Sequence, residues 1–205
     1  MQAFDQVMLT QFLAPLDRFR LSIFASGCAT RTLFIFHGFP NSVMAPEGAE
    51  LAALLESLWN QLGSDSFNSE QLCSNANSLE RMMPPEVSSA LLEYYADAIG
   101  AVLSATLAAS RGELVYAVHA ALAVQEIVAR YIKQTSNLKH QTGQAFLEEI
   151  SAFALMETEC VRQLRDAQFL QTVCPAELSP AREAIRSRAF RESCLPIHII
   201  ERLAI

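Results

Sequence analysis

Residues 94–132, YYADAIGAVLSATLAASRGELVYAVHAALAVQEIVARYI, contain the clearest evidence for the fold class. Apolar side chains recur at steps of three and four on both sides of Ser110-Arg111-Gly112, which is the period of an α-helix. So short a connection forces the two helices to be antiparallel neighbours. Small residues that permit close approach fall at helical spacing in both halves: Gly100, Ser104, Ala108, Ala117 and Ala121. The sequence therefore predicts a tight central helix hairpin over about 88–110 and 113–133.

The helical period continues outward from this hairpin through almost the whole chain. The clearest apolar stripe lies in residues 51–62, and Pro84-Pro85 must end the helix that follows it. Residues 146–174 predict one long helix, and Ser179-Pro180 predicts the cap and first turn of the last helix. We therefore expect an all-α bundle of about six to seven helices.

The length of 205 residues and a hydrophobic content of 51% suit one domain with a sizeable core. We expect a single all-α domain over 1–205. Its last helix and the tail 176–205 form an appendage suited to an interface, because the tail is apolar and must pack against its own domain or a second copy.

Charge and cysteine content limit the partners and the compartment. The net charge is −7 with only two lysines, so a duplex nucleic-acid surface would repel the chain unless its positive charge were gathered in one patch. Residues 114–132 are long enough to span a membrane but contain Glu126 and Arg130, so they read as a core helix and no membrane contact is expected. The five cysteines show no Cys-x-x-Cys spacing, which favours reduced thiols and a cytoplasmic location.

An enzyme hypothesis arises at residues 33–42, LFIFHGFPNS, because an apolar run followed by His-Gly-Phe-Pro is typical of the oxyanion-hole turn of α/β-hydrolases. That fold also needs a G-x-S-x-G nucleophile turn, and no two of the seven glycines are four residues apart. The hydrolase reading is therefore rejected. The stretch predicts a chain reversal after a helix, with Gly38 and Pro40 as its turn residues and His37 near the helix end.

Metal and cofactor chemistry has no motif in this chain. A di-metal bundle needs Glu-x-x-His on two helices. Residues three places before the four histidines are Phe34, Tyr116, Asn137 and Leu195. We predict no metal, no cofactor and no catalytic residues, and the interpretation leans away from an enzyme. Glu126 and Arg130 are spaced i,i+4 and predict a pair within one helix.

Two groups of side chains are candidates for binding. His37, Trp59 and His119 could line a small-molecule pocket, which is the alternative function; for His119 alone, a buried histidine satisfied by a hydrogen bond is the plainer interpretation. Four arginines gather on the last helix and could form a docking strip for an acidic partner or a second subunit: Arg182, Arg186, Arg188 and Arg191. A solvated helix face is the simpler explanation of these arginines.

The order of several motifs resembles the YjaG-like family of bacterial proteins, a helical domain of unknown function. The motifs are LDRFRLSIFASGCATR (16–31), LAALLESLWNQL (51–62), LERMMP (79–84), YYADAIGAVLSATLAA (94–109) and FLEEISAFALMETECVRQLR (146–165). The resemblance implies an all-α cytosolic domain that self-associates, and it implies no activity or cofactor. Together with the missing catalytic motifs, it leads us to expect a non-enzymatic cytoplasmic protein that acts through protein contacts, as a homodimer with a further, unidentified protein partner.

Overall fold

The computed structural model describes residues 6–37, 45–64, 67–84, 90–140 and 142–196. Within these ranges the chain forms ten α-helices and one 3₁₀ turn, and no strand. In chain order the elements are α1 (Gln6–Leu13), α2 (Arg18–Thr32), α3 (Phe34–His37), α4 (Ala45–Gln61), α5 (Ser69–Met82), α6 (Ala90–Arg111), α7 (Leu114–Thr135), α8 (Gly143–Ser151), α9 (Ala154–Thr172), the 3₁₀ turn (Pro175–Glu177) and α10 (Leu178–Arg191). The all-α prediction is confirmed, and six to seven helices was too few.

Two of the additional helices arise where a long apolar stripe is interrupted. The first stripe divides at Pro15, which cannot continue α1, and α2 restarts when the carboxylate of Asp17 accepts the backbone N–H of Arg20 at 2.9 Å. The predicted long helix over 146–174 divides at Ala152 and Phe153 into α8 and α9. The last helix begins at Leu178, so Ser179 lies inside α10 and does not cap it.

The predicted central hairpin is confirmed as α6 and α7, which pack together along their length. Gly112 turns the chain with a φ of +73°, a backbone angle that favours glycine. Arg18 closes this turn, because its Nε donates to the carbonyl of Ala109 at 2.6 Å. A Cβ at Gly100 would meet nothing within 4 Å, so the close contact is made by buried alanines and not by Gly100.

The centre of the bundle is α2, which packs against α6, α7 and α10. Every residue of α2 from Leu21 to Thr32 is buried, although the helix carries several polar side chains. The hydroxyl of Thr30 donates to the carbonyl of Ser26 at 2.7 Å, which satisfies it within the helix. A Cβ at Gly27 would lie 2.8 Å from Ile185 of α10, so these two helices are in very close contact. The centre of the fold is therefore a buried helix that carries several polar side chains.

The stretch that suggested a hydrolase divides between described and undescribed residues. Phe34 to His37 form the short helix α3, which agrees with the helical prediction. The turn residues Gly38 and Pro40 lie outside the described residues, as do the side chain of His37 and the tail after Pro196. The extent 1–205 of a single domain stays a prediction.

Candidate functional site

The three residues of the predicted pocket lie in different surroundings. Trp59 is buried on α4, and its indole N–H donates to the hydroxyl of Thr30 at 3.0 Å. His119 is exposed on α7, with its ring set edge-on to Tyr116 at 6.4 Å between centroids. Neither residue lines the two surface cavities described in the chain. A buried, hydrogen-bonded His119 is not what the structure has, and a pocket shared with His37 stays a prediction.

Three of the four predicted docking arginines make ion pairs within the chain. Arg186 donates through Nη2 to both carboxylate oxygens of Glu56 on α4, at 2.7 and 2.5 Å. Arg182 donates to its neighbour Glu183 at 2.6 Å, and Arg188 donates to Asp166 on α9 at 2.8 Å. Arg191 is exposed. Three of the four positive charges of the strip are therefore neutralised by carboxylates.

Arg182 and Arg186 belong to a mixed surface where α10 passes α4. Phe190 follows Arg186 by one helical turn, and the guanidinium carbon of Arg186 lies 5.9 Å from the centre of that ring. The same carbon lies 5.9 Å from the ring of buried Trp59 below. We call the surface formed by Glu56, Arg182, Glu183, Arg186 and Phe190 the Arg186 face. It combines an exposed aromatic ring with two positive and two negative side chains.

A groove of about 600 Å³ borders this face, between α4 and the start of α5. Its lining is mostly neutral and hydrogen-bonding: Ala53, Glu56, Ser57, Asn60, Gln61, Ser64, Asn68 and Gln71. Among the lining residues that the structure describes, Glu56 is the only charged one, and its carboxylate is paired with Arg186. The groove is thus close to electrically neutral in a chain that carries a net charge of −7.

A relay of hydrogen bonds holds the two walls of the groove together. Gln61 Oε1 accepts the backbone N–H of Asn68, and Asn68 Oδ1 accepts the backbone N–H of Gln71, both at 3.0 Å. Gln71 Nε2 donates to Asn75 at 2.8 Å, and Asn75 Nδ2 donates to the hydroxyl of Ser57 at 3.3 Å. These bonds fix the amide side chains of the groove in defined orientations.

A second cluster, which was not predicted from the sequence, is the buried ion network around Arg31. Arg31 of α2 is fully buried, and its Nη1 lies 3.3 Å from Glu159 Oε1 on α9 while its Nη2 lies 2.5 Å from Asp166 Oδ2. The other oxygen of Asp166 accepts from Arg188 at 2.8 Å and from Arg165 at 3.3 Å. One carboxylate is therefore shared by three guanidinium groups.

The network extends outward to segment 192–195, which follows α10. Arg165 forms a two-bond pair with Glu192 at 3.0 and 2.7 Å, and Arg162 donates to the carbonyl of Ser193 at 3.0 Å. The backbone N–H of Cys194 donates to the carbonyl of Arg31 at 3.2 Å. These contacts tie the segment to both α2 and α9.

Burial shifts the acidity of the groups in this network. It raises the pKa of the Glu159 carboxyl in spite of the attraction of Arg31 and Arg162. Burial also raises the pKa of the Cys28 thiol to about 12, so this cysteine is an unreactive thiol at neutral pH. At the rim, the bond from Arg165 lowers the pKa of Glu192 and keeps it ionised. The buried ion pairs of Arg31 with Glu159 and Asp166 join α2 to α9 inside the bundle.

The ion-pair partners of Arg130, on α7 of the central hairpin, differ from the predicted one. Its guanidinium bonds Glu93 and Asp97 of α6, across the hairpin, rather than pairing along its own helix with Glu126 as predicted. The guanidinium carbon of Arg130 also lies 5.9 Å from the centre of the Tyr94 ring.

The described residues include no group of three or more histidine, cysteine or acidic side chains that could hold a metal ion.

Sequence signals for the ion network and the groove were weak but present. Arg31 ends a run of small and apolar residues, IFASGCATR, where a charged side chain has no place unless it is paired. Residues 57–71 contain Asn and Gln at helical spacing, but the same pattern is typical of any protein surface exposed to water.

Among the described residues, none of the helices is long and apolar enough to cross a membrane.

No protein-family model matches the chain, and no curated protein matches it either. A solved structure, that of a DUF416 family protein from Shewanella baltica OS155, has a similar fold with a TM-score of 0.68. The two sequences are 20% identical, and the alignment covers 87% of this chain and 93% of that chain. This likeness shows a shared all-α fold over most of both chains.

Proposed function

We propose that this protein acts through protein–protein contacts and associates with a second copy of itself through the Arg186 face. The observation that carries the proposal is Phe190, an aromatic side chain left 42% exposed beside an arginine. Aromatic and arginine side chains are the residues most enriched where interfaces derive their binding energy.

The charges of the face favour a second copy over an acidic partner. A twofold interface places one patch against itself, so the patch must be complementary to its own image. Arg182 and Arg186 stand beside Glu183 and Glu56, so the positive groups of one copy can meet the negative groups of the other. A strongly acidic partner would instead meet the two exposed carboxylates.

Sedimentation at micromolar protein concentration tests the proposal. We expect a species of about twice 22.6 kDa for the native chain and of 22.6 kDa for Phe190→Glu. Leu147→Glu on α8 is the matched control, since Leu147 is also exposed but lies outside the face. A native protein that sediments as a monomer, or a Phe190→Glu variant that stays dimeric, would contradict the proposal.

Membership of the YjaG-like family and a cytoplasmic location in a bacterial cell are part of this proposal. The family assignment is supported by the motif order in 16–165 and by the fold shared with the Shewanella baltica protein. The location is supported by five cysteines, all of them free thiols.

A further inference from the structure

We propose that Glu159 binds a proton inside the bundle and that this protonation tightens the hold of α9 on segment 192–195. Neither Glu159 nor the segment belongs to the Arg186 face, so the proposal is independent of self-association. Glu159 lies on α9 and is 0% exposed. A proton needs no cavity, because it reaches a buried carboxyl during brief local openings of the fold.

The two buried carboxylates of the ion network differ in the number of donors that they accept. Asp166 accepts from Arg31 at 2.5 Å and from Arg188 at 2.8 Å, and both of its oxygens are used. Arg165 adds two further bonds to Asp166 at 3.3 Å. Three guanidinium groups thus stabilise the negative charge of Asp166.

Glu159 has far fewer donors. Its Oε1 accepts from Arg31 at 3.3 Å and from Gln163 at 3.1 Å, and both bonds are longer than is usual for a carboxylate. Its Oε2 is buried and has no hydrogen-bond partner among the described residues. Nη1 of Arg162 stands 3.6 Å from this oxygen, beyond hydrogen-bond range. A buried carboxylate with so few donors is costly, and a proton removes its charge.

The groups that surround Glu159 do not make up for the missing donors. The charged and titratable side chains around it are Arg31 and Cys28 of α2, Arg162, Asp166 and Cys160 of α9, Glu192 and Cys194 of the segment, and Arg165 and Arg188 through Asp166. The helix α7 contributes the neutral amide of Gln125 through Gln163, and α1 has no titratable side chain. On α8, Glu148 and Glu149 bond Gln144 and the backbone of 139–140 instead. Burial is the largest influence and raises the pKa of Glu159.

Arg162 transmits the change of charge to the segment. Its Nη1 is shared between Glu159 Oε2, at 3.6 Å, and the carbonyl of Ser193, to which it donates at 3.0 Å. Its Nε lies 3.9 Å from Glu192. While Glu159 is ionised, its charge draws Arg162 inward and competes with the segment. Protonation removes that attraction, so Arg162 then holds the segment alone.

The segment should therefore be held more firmly as the pH falls from neutrality. The pKa of Glu159 is raised above the ordinary value of 4.5, so the folded chain takes up this proton at a pH where the unfolded chain does not. The resulting stabilisation appears as the pH falls through the folded value and is complete below 4.5. Glu192 behaves in the opposite way, because Arg165 lowers its pKa and its contribution is lost in acid.

The test of proton binding is an NMR titration of the full chain labelled with ¹³C and ¹⁵N. We expect the side-chain carboxyl carbon of Glu159, assigned through the backbone, to titrate with a midpoint above 4.5. A midpoint at or below 4.5 would overturn the inference. This measurement uses only the native protein, so it decides the matter even if a variant fails to fold.

Hydrogen exchange tests the effect on the segment. The amide of Cys194, which donates to the carbonyl of Arg31, is compared with the amide of Gly112 at the hairpin turn. As the pH is lowered from about 8 toward 4.5, the protection of Cys194 relative to Gly112 should rise by about twofold to tenfold, as for one strengthened hydrogen bond.

Two variants separate Glu159 from other carboxylates. Glu159→Gln is neutral and of the same shape, so its relative protection should stay at the acid level throughout. Glu157→Gln, exposed on the same helix, is the matched control and should keep the native dependence. Relative protection that is constant in the native protein, or that changes equally in Glu159→Gln, would overturn the inference.

Discussion

Arg31 and Asp166 are 135 positions apart in sequence, yet Nη2 of the arginine and Oδ2 of the aspartate are 2.5 Å apart in the interior. Both side chains are almost completely buried. A buried charge is tolerated only when it is paired and hydrogen-bonded, so α2 and α9 need each other to fold.

The ion network should respond differently to single and double substitution. Arg31→Met leaves Glu159 buried without its main partner and should lower the free energy of unfolding by about 3–5 kcal/mol. The double variant, Arg31→Met with Glu159→Met, replaces the pair by apolar side chains. Its loss of unfolding free energy should therefore be smaller than the sum of the losses of the single variants Arg31→Met and Glu159→Met. Urea unfolding measures all three, with Arg81→Met on the surface of α5 as control. A loss below about 1 kcal/mol in the single variant would show that Arg31 is dispensable.

The ion pair between Arg165 and Glu192 should make the free energy of unfolding depend on pH. The pKa of Glu192 is lowered in the folded protein, so its contribution is present above the unfolded value of 4.5 and is lost as the pH falls through the folded value. Glu192→Gln should therefore flatten the decline in stability below about pH 4.5. Thermal unfolding of both proteins between pH 3 and 7 checks this, and parallel curves would contradict it.

Two glycines should respond in opposite directions to alanine. Gly112→Ala forces a side chain into a backbone with φ of +73° and should cost about 1–2 kcal/mol. Gly100→Ala lies within α6 and faces open space, so it should stabilise by about 0.5–1 kcal/mol. Chemical denaturation of the two variants measures the difference. Equal effects would contradict the assigned conformation of the turn.

Thr30→Val tests the bond that holds Trp59. The change keeps the shape of the side chain but leaves the indole N–H buried without an acceptor, for a loss of about 1–3 kcal/mol. Thr158→Val is a close control, because both hydroxyls bond the carbonyl four residues earlier and Thr158 is exposed on α9. Unfolding followed by the fluorescence of the single tryptophan reports both variants. If the control loses as much as Thr30→Val, the indole bond is not the cause.

The parts of the fold that follow from a single local sequence pattern could be predicted. Apolar periodicity and the break at Ser110-Arg111-Gly112 predicted α6, α7 and their antiparallel packing, because neighbouring helices with a short loop have few alternatives. The division of 146–174 escaped prediction, since an apolar stripe can continue in register across a single tight turn at Phe153.

The candidate sites were less predictable because their partners are distant in sequence. Glu126 fits the i,i+4 rule with Arg130, yet two carboxylates on the facing helix take that arginine. The arginines of α10 were identified from the sequence, but the carboxylates that pair with them were not. Arg186 pairs with Glu56 of α4 and Arg188 pairs with Asp166 of α9, and both partners are distant in sequence. Local spacing identifies charged groups, and tertiary packing decides how they pair.

The buried pair of Arg31 with Asp166 has a consequence for how this protein is made. At about 5–20 residues per second, a ribosome that has added Arg31 needs about 7–27 s more to add Asp166 135 positions later. Until α9 has been made, α2 lacks Glu159 and Asp166, the two carboxylates that pair with its arginine, and cannot be enclosed. The nascent chain must therefore wait with its central helix unburied, and the bundle closes only when α9 has left the ribosome.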